Sequence, residues 1–154
     1  MKIKCLLTIL VTLTLGGLEA QTAEVRTKEF NLSSSQLAIE GYDPVSYFNG
    51  KPAEGSSKFT AVVNGVKYQF ANAANRDKFI AMPAKYEPQY GGWCAYAMGL
   101  NGEKVEVDPE TYKILDGKLY LFYNRFFNNT LKTWNKDEKK LQSNADKNFK
   151  KIIQ

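Results

Sequence analysis

The sequence predicts an α+β domain: small antiparallel β-hairpins packed against short helices, with further helices closing the C-terminus. Three observations carry that expectation. Two stretches rich in β-branched and aromatic residues each fold back on an Asn-Gly or Asp-Gly pair. A short helical run opens at an asparagine and stops before a proline. The C-terminal segment repeats apolar residues along a single helical stripe.

Taken in order, "KFTAVVNGVKYQF" turns at Asn64-Gly65, where both positions tolerate positive φ. That turn pairs Val63 with Val66, Ala61 with Tyr68 and Phe59 with Phe70 on one face. "NAANRDKFIAM" follows as a helix capped by Asn72 and ended by Pro83. "YKILDGKLYLFY" turns at Asp116-Gly117 and pairs Ile114 with Leu119 and Tyr112 with Leu121. Two helices complete the chain. One carries Phe127, Leu131 and Trp134 at i, i+4 and i+7; the other carries Leu141, Ala145, Phe149 and Ile152. Asp137 and Glu138 at the start of the second, and Lys147, Lys150 and Lys151 at its end, complement its dipole. These stripes read as core.

The front of the chain reads as an address. Lys2 and Lys4 precede the apolar run "CLLTILVTLTLGGL", too short to span a bilayer, and "LEA" supplies a small residue at the cut. Residues 1–20 are therefore expected to be a signal peptide cleaved near Ala20, which sends the protein to the periplasm or outside the cell. Residues 21–36 are expected to form a flexible, extended lead-in, and 37–154 a single domain with a C-terminal helical extension. Cleavage leaves nineteen basic against fifteen acidic residues, a net charge of +4, with the excess along the last helix. Without an Arg-rich groove motif this is a solvated face, so no nucleic-acid partner and no membrane span in the mature chain are expected.

The chain contains no histidine, which excludes a Ser-His-Asp triad, a Cys-His dyad and every imidazole metal site. Cys5 falls in the leader, so the mature chain keeps one cysteine, Cys94, and can form no internal disulfide. It sits in "PAKYEPQYGGWCAYAMGLNG", where Gly91-Gly92 turns the chain and "WCAYAM" starts a short helix. N–H groups at such a start favour a thiolate. Met98, four residues on, shares a helical face with Cys94, and a thiolate with a thioether is a soft pair suited to Cu(I).

The ordered segments "AIEGYDPVSYF", "GVKYQFANAANRDKF" and "PAKYEPQYGGWCAYAM" resemble the YHS domain family in its exported single-domain form, a likeness that covers roughly residues 37 to 123. The resemblance implies a treble-clef-like scaffold related to metal-binding modules, in a family whose members occur beside metal transporters and oxygenases. It also exposes a departure. Metal-binding members carry thiolates where this chain has Ser46, Ala71 and Asn75. A closed zinc site needs about four N or S ligands, so no structural zinc is expected; copper is the metal that Cys94 and Met98 could hold. Around them the reading places Tyr42, Asp43, Tyr86, Gln89, Tyr90, Trp93 and Tyr96 as the walls of a ligand pocket with the "GYDP" turn as its floor. The function expected is an exported binding module for a soft metal ion or small ligand, with no catalytic residues assigned. A structural or interaction domain with an inert Cys94 stays open, as does a thiol-dependent redox protein.

Overall fold

The computed structural model describes residues 16–154, with side chains from Thr22 onward. The basic start and most of the apolar run of the expected signal peptide lie outside the described residues. Helix α1 (Gly16–Glu29) comes first. The lead-in was expected to be extended, yet it is helical through Glu29 because its polar residues find partners on the body. Arg26 pairs with Glu87, Lys104 pairs with Glu29, and the Trp93 indole donates to the Glu29 carbonyl at 2.7 Å. Phe30 then turns inward against Phe149, with ring centroids 6.0 Å apart. Tertiary partners outweigh the local polar composition.

The two expected hairpins form. β1 (Ser56–Val63) and β2 (Val66–Phe70) pair Val63 with Val66 and Ala61 with Tyr68, as the turn chemistry requires. An irregularity between Ser56 and Thr60 then slips the register, so Phe70 faces Ser56 and not Phe59. β3 (Asp108–Leu115) and β4 (Lys118–Phe122) pair Ile114 with Leu119 and Tyr112 with Leu121. Between them lie α2 (Ala73–Ala81), α3 (Pro83–Tyr86) and α4 (Ala95–Leu100). The Asn72 side chain caps α2 by accepting from the Asn75 N–H at 2.9 Å, satisfying one of the donors that a helix start leaves free.

The tail departs from expectation at one point. Asn124–Arg125 (β5) and Asn128–Asn129 (β6) form a third, very short hairpin, and α5 (Thr130–Trp134) begins only after it. Asn129 caps α5 through the Leu131 N–H, so the helix cannot reach back to Phe127. Phe127, expected beside Leu131 and Trp134, instead sits exposed at the hairpin tip. The last helix, α6 (Glu138–Ile153), buries Leu141 and Ala145, with Phe149 and Ile152 packed beside them. Its principal neighbour is α4. Gly99 permits that crossing, since a Cβ there would stand 2.4 Å from the Leu141 carbonyl oxygen.

β4 divides the interior. Leu119 and Leu121 face a core shared with Tyr47, Tyr68, Phe70 and Phe79, whereas Tyr120 and Phe122 face a second core with Tyr90, Met98 and Trp134. Strand alternation produces this split. α2 covers the first hairpin, while α4 and α6 cover the second core. The molecule is thus α+β with three two-stranded hairpins and no larger sheet among the described residues.

Candidate functional site

Two buried polar centres emerge, and they are separate. The first is Asp43. One carboxylate oxygen accepts from the Val45 N–H at 2.8 Å; the other accepts from the Ala71 N–H at 3.0 Å and from the Asn75 side-chain amide at 2.7 Å. The Ser46 hydroxyl donates to the Asp43 carbonyl at 2.6 Å and accepts from the Ala53 N–H at 3.0 Å. Residues 46, 71 and 75, the three positions that the resemblance aligns with thiolates, are therefore gathered around Asp43, residues 71 and 75 on its carboxylate and Ser46 on its main-chain carbonyl. Every donor in this shell is matched. Asp43 is an architectural anchor joining the Tyr42–Ser46 turn, the end of β2 and the start of α2.

The second centre is Cys94, at the N-cap of α4 and fully buried. Its own N–H is bonded to the Val105 carbonyl at 2.9 Å. The helix-start N–H groups expected to face the sulfur do not do so; no capping bond forms from this side chain. The N–H comes instead from Tyr123, at 3.3 Å from Sγ, and the Thr130 hydroxyl lies 3.4 Å away. Thr130 also donates from N and Oγ1 to the Tyr123 carbonyl, at 3.0 and 2.8 Å. The sulfur thus plugs the base of the β5–β6 hairpin. It lines a cleft of about 260 Å³ walled by Tyr96, Ala97, Leu100, Val105 and Tyr123.

The other expected site residues disperse. Met98, foreseen as the partner of Cys94, packs in the second core while Cys94 belongs to the first. Asp43 and Cys94 share no bonding partner, so the "GYDP" turn is not the floor of the cysteine's cleft. Tyr42 reaches Glu110 from a half-buried position, and burial together with that carboxylate raises its pKa. Tyr86 is buried edge-on against Phe48, centroids 5.2 Å apart. Gln89 and Tyr90 line a different cleft of about 320 Å³ with Phe30, Glu87 and Phe149. The Tyr90 hydroxyl donates to Asp146 at 2.9 Å, and burial, then that carboxylate, holds its pKa well above the ordinary phenol value. Trp93 is committed to Glu29. Of the expected walls only Tyr96 lines the Cys94 cleft.

The residues that complete the centre, Tyr123 and Thr130, lie 29 and 36 positions from Cys94. No local pattern marks them; only the course of β4 and the short hairpin brings them there. Among the described residues no group of three or more Cys, Asp or Glu side chains is placed to hold a metal ion, and no helix is long and apolar enough to cross a membrane. No family model matches this chain, and no curated protein or solved structure matches it.

Proposed function

We propose that this protein is an exported binding module of the YHS type, holding a small ligand in the cleft over Cys94. One observation carries the reading: a fully buried thiol lies on the lining of a cleft of about 260 Å³, with one long N–H bond from Tyr123 and a distant Thr130 hydroxyl as its polar neighbours. A concave site walled by apolar and aromatic side chains with a few polar groups, here Asn101, Glu103, Asn128 and Thr130 beside the thiol, is the usual form of a small-molecule site. Its donors favour a small organic ligand over a chelated metal, since Cys94 is the one sulfur among the lining residues. Copper bound by Cys94 with Met98 is the weaker form of the proposal, because Met98 lies in the other core.

The gathering of Ser46, Ala71 and Asn75 about Asp43 supports the YHS resemblance. A hydrogen-bonded carboxylate would do there the cross-linking that a zinc ion does elsewhere. Export is compatible with the fold. The cut proposed near Ala20 falls inside α1, but the anchors at Arg26 and Glu29 follow it and stay with the body.

Native mass spectrometry of protein isolated from its own compartment, before and after iodoacetamide, tests the proposal. The expected result is a retained mass on the untreated protein, lost on alkylation of Cys94 in the folded state. No retained mass, with Cys94 protected until denaturant is added, would leave a structural domain with an inert thiol.

A further inference from the structure

Helix α6 carries its charges unevenly. At about 100° per residue, Lys139, Lys140, Lys147, Lys150 and Lys151 fall within an arc of about 120° opposite the buried Ala145, and all five are exposed. No acidic residue lies in that arc. The carboxylates near it are engaged elsewhere. Asp146, just outside the arc, accepts from the Tyr90 hydroxyl at 2.9 Å. Glu138 is held on the inner side by Lys113 and the Trp134 indole. Asp137 stands 3.8 Å from Lys140. On the α1 flank Glu29 pairs with Lys104, and Glu24 is accompanied by Lys28 in the groove beside Ile153. Among the described residues the other four lysines have no ion-pair partner. A merely solvated helix face interleaves both signs of charge. This one does not.

We propose that α6 docks reversibly on an anionic lipid bilayer, lying along the surface with its lysine stripe against the phosphate headgroups. From Lys139 to Lys151 the stripe runs straight for about 18 Å at the helical rise of about 1.5 Å per residue. Its charges are all lysine ammonium groups, which act as mobile point charges; recognition of one particular phosphate or carboxylate favours the planar fork of arginine, and α6 contains no arginine. A diffuse, flat negative surface matches that chemistry.

Other polyanions fit less well. Protein interfaces are depleted in lysine and rely on aromatic, apolar or arginine anchors, whereas the only other residue within the arc between Lys139 and Lys151 is Ser143. A helix that reads a nucleic-acid groove presents its flanks as well as its crest. Here α1 packs along one side of α6, and residues 89–91 adjoin another, so only the crest is free. A free crest suits a plane. Each lysine near an anionic membrane strengthens binding about fivefold, and salt screens the attraction. None of the five lysines lines the Cys94 cleft, so the ligand reading stands or falls separately.

Co-sedimentation with vesicles, using protein isolated from its own compartment, tests the proposal. Wild type should bind vesicles of mixed phosphatidylglycerol and phosphatidylcholine at low ionic strength, leave them by about 0.5 M salt, and ignore pure phosphatidylcholine. Lys147→Gln/Lys150→Gln/Lys151→Gln should bind on the order of 100-fold more weakly, three lysines at about fivefold each, with its Tm little changed because all three are exposed. Arginine at the same three positions should restore binding. Lys51→Gln/Lys58→Gln/Lys78→Gln, which removes the same charge from exposed positions outside α6, should weaken binding less than about threefold, since remote charges are screened. A wild type that does not bind the anionic vesicles, equal weakening by the two glutamine sets, or undiminished binding to phosphatidylcholine alone would each overturn the proposal. Stripe-dependent binding to duplex DNA without vesicle binding would overturn it in favour of a nucleic-acid partner.

Discussion

Asp43 and Cys94 are both completely buried, and each ties together segments distant in the chain, yet their surroundings differ in kind. Asp43 accepts three hydrogen bonds at 2.7–3.0 Å from donors on its own turn, on the residue after β2 and on α2. Cys94 has one N–H at 3.3 Å and one hydroxyl at 3.4 Å, and it borders a cleft. A strong acceptor with a complete shell holds structure together and has nothing left to offer. A soft, loosely partnered atom beside an opening adds little to stability and keeps its chemistry. The difference separates the architectural centre from the candidate binding centre more sharply than burial does.

The largest expected effect breaks the first centre. Asp43→Ala leaves the Val45, Ala71 and Asn75 donors without an acceptor, each worth about 1–3 kcal/mol when buried. Urea unfolding should show a loss of about 4 kcal/mol; a loss within error of zero would mean that the carboxylate is not an anchor. Asn75→Asp is subtler. It replaces a donor to Asp43 with a second carboxyl, and two adjacent carboxylates cannot both ionise cheaply. Stability should fall by about 2–3 kcal/mol at neutral pH and recover part of that loss on mild acidification, when the pair can share a proton. A pH-independent loss would contradict the geometry.

Cys94→Ser tests the other side of the comparison. Serine keeps a small acceptor for the Tyr123 N–H and a hydroxyl that can donate to Thr130 Oγ1, so the cost should be about 1 kcal/mol while ligand retention and alkylation at this position disappear. Outright unfolding would move Cys94 into the architectural class. The Lys113–Glu138 pair lies outside both centres and serves as a control. Its hydrogen bond from Lys113 holds the Glu138 pKa below the ordinary carboxylate range. A depressed folded-state value means that the contribution is fully present above that range and is lost as pH falls through the depressed value. Both side chains are partly solvated, so Glu138→Gln should cost under about 1 kcal/mol at neutral pH and flatten the acid limb of the stability curve. The smallest expected effect is none: EDTA should leave Tm unchanged, because Ser46, Ala71 and Asn75 stand where the resemblance expects thiolates. A drop of several degrees would demand a metal.

The sequence alone determined whatever depends on neighbours a few residues away. Asn64-Gly65 and Asp116-Gly117 set turn type and hence the register of the pairs beside them; Asn72 and Pro83 bounded α2; the Leu141–Ile152 stripe defined the buried face of α6. These are backbone and periodicity effects, carried by the residues themselves. Tertiary structure decided the rest. It slipped Phe70 to Ser56 where the turn's influence faded, and it made a polar lead-in helical by supplying Glu87 and Lys104 as partners. It cut Phe127 out of a plausible helical stripe once Asn129 capped α5. It also divided one imagined pocket into separate places, because β4 sends alternate side chains into two cores and leaves Cys94 and Met98 on opposite sides. Tyr123 and Thr130 reach the sulfur only through that strand and the hairpin after it. Contacts between residues some thirty positions apart are fixed by packing, which no short stretch of sequence encodes.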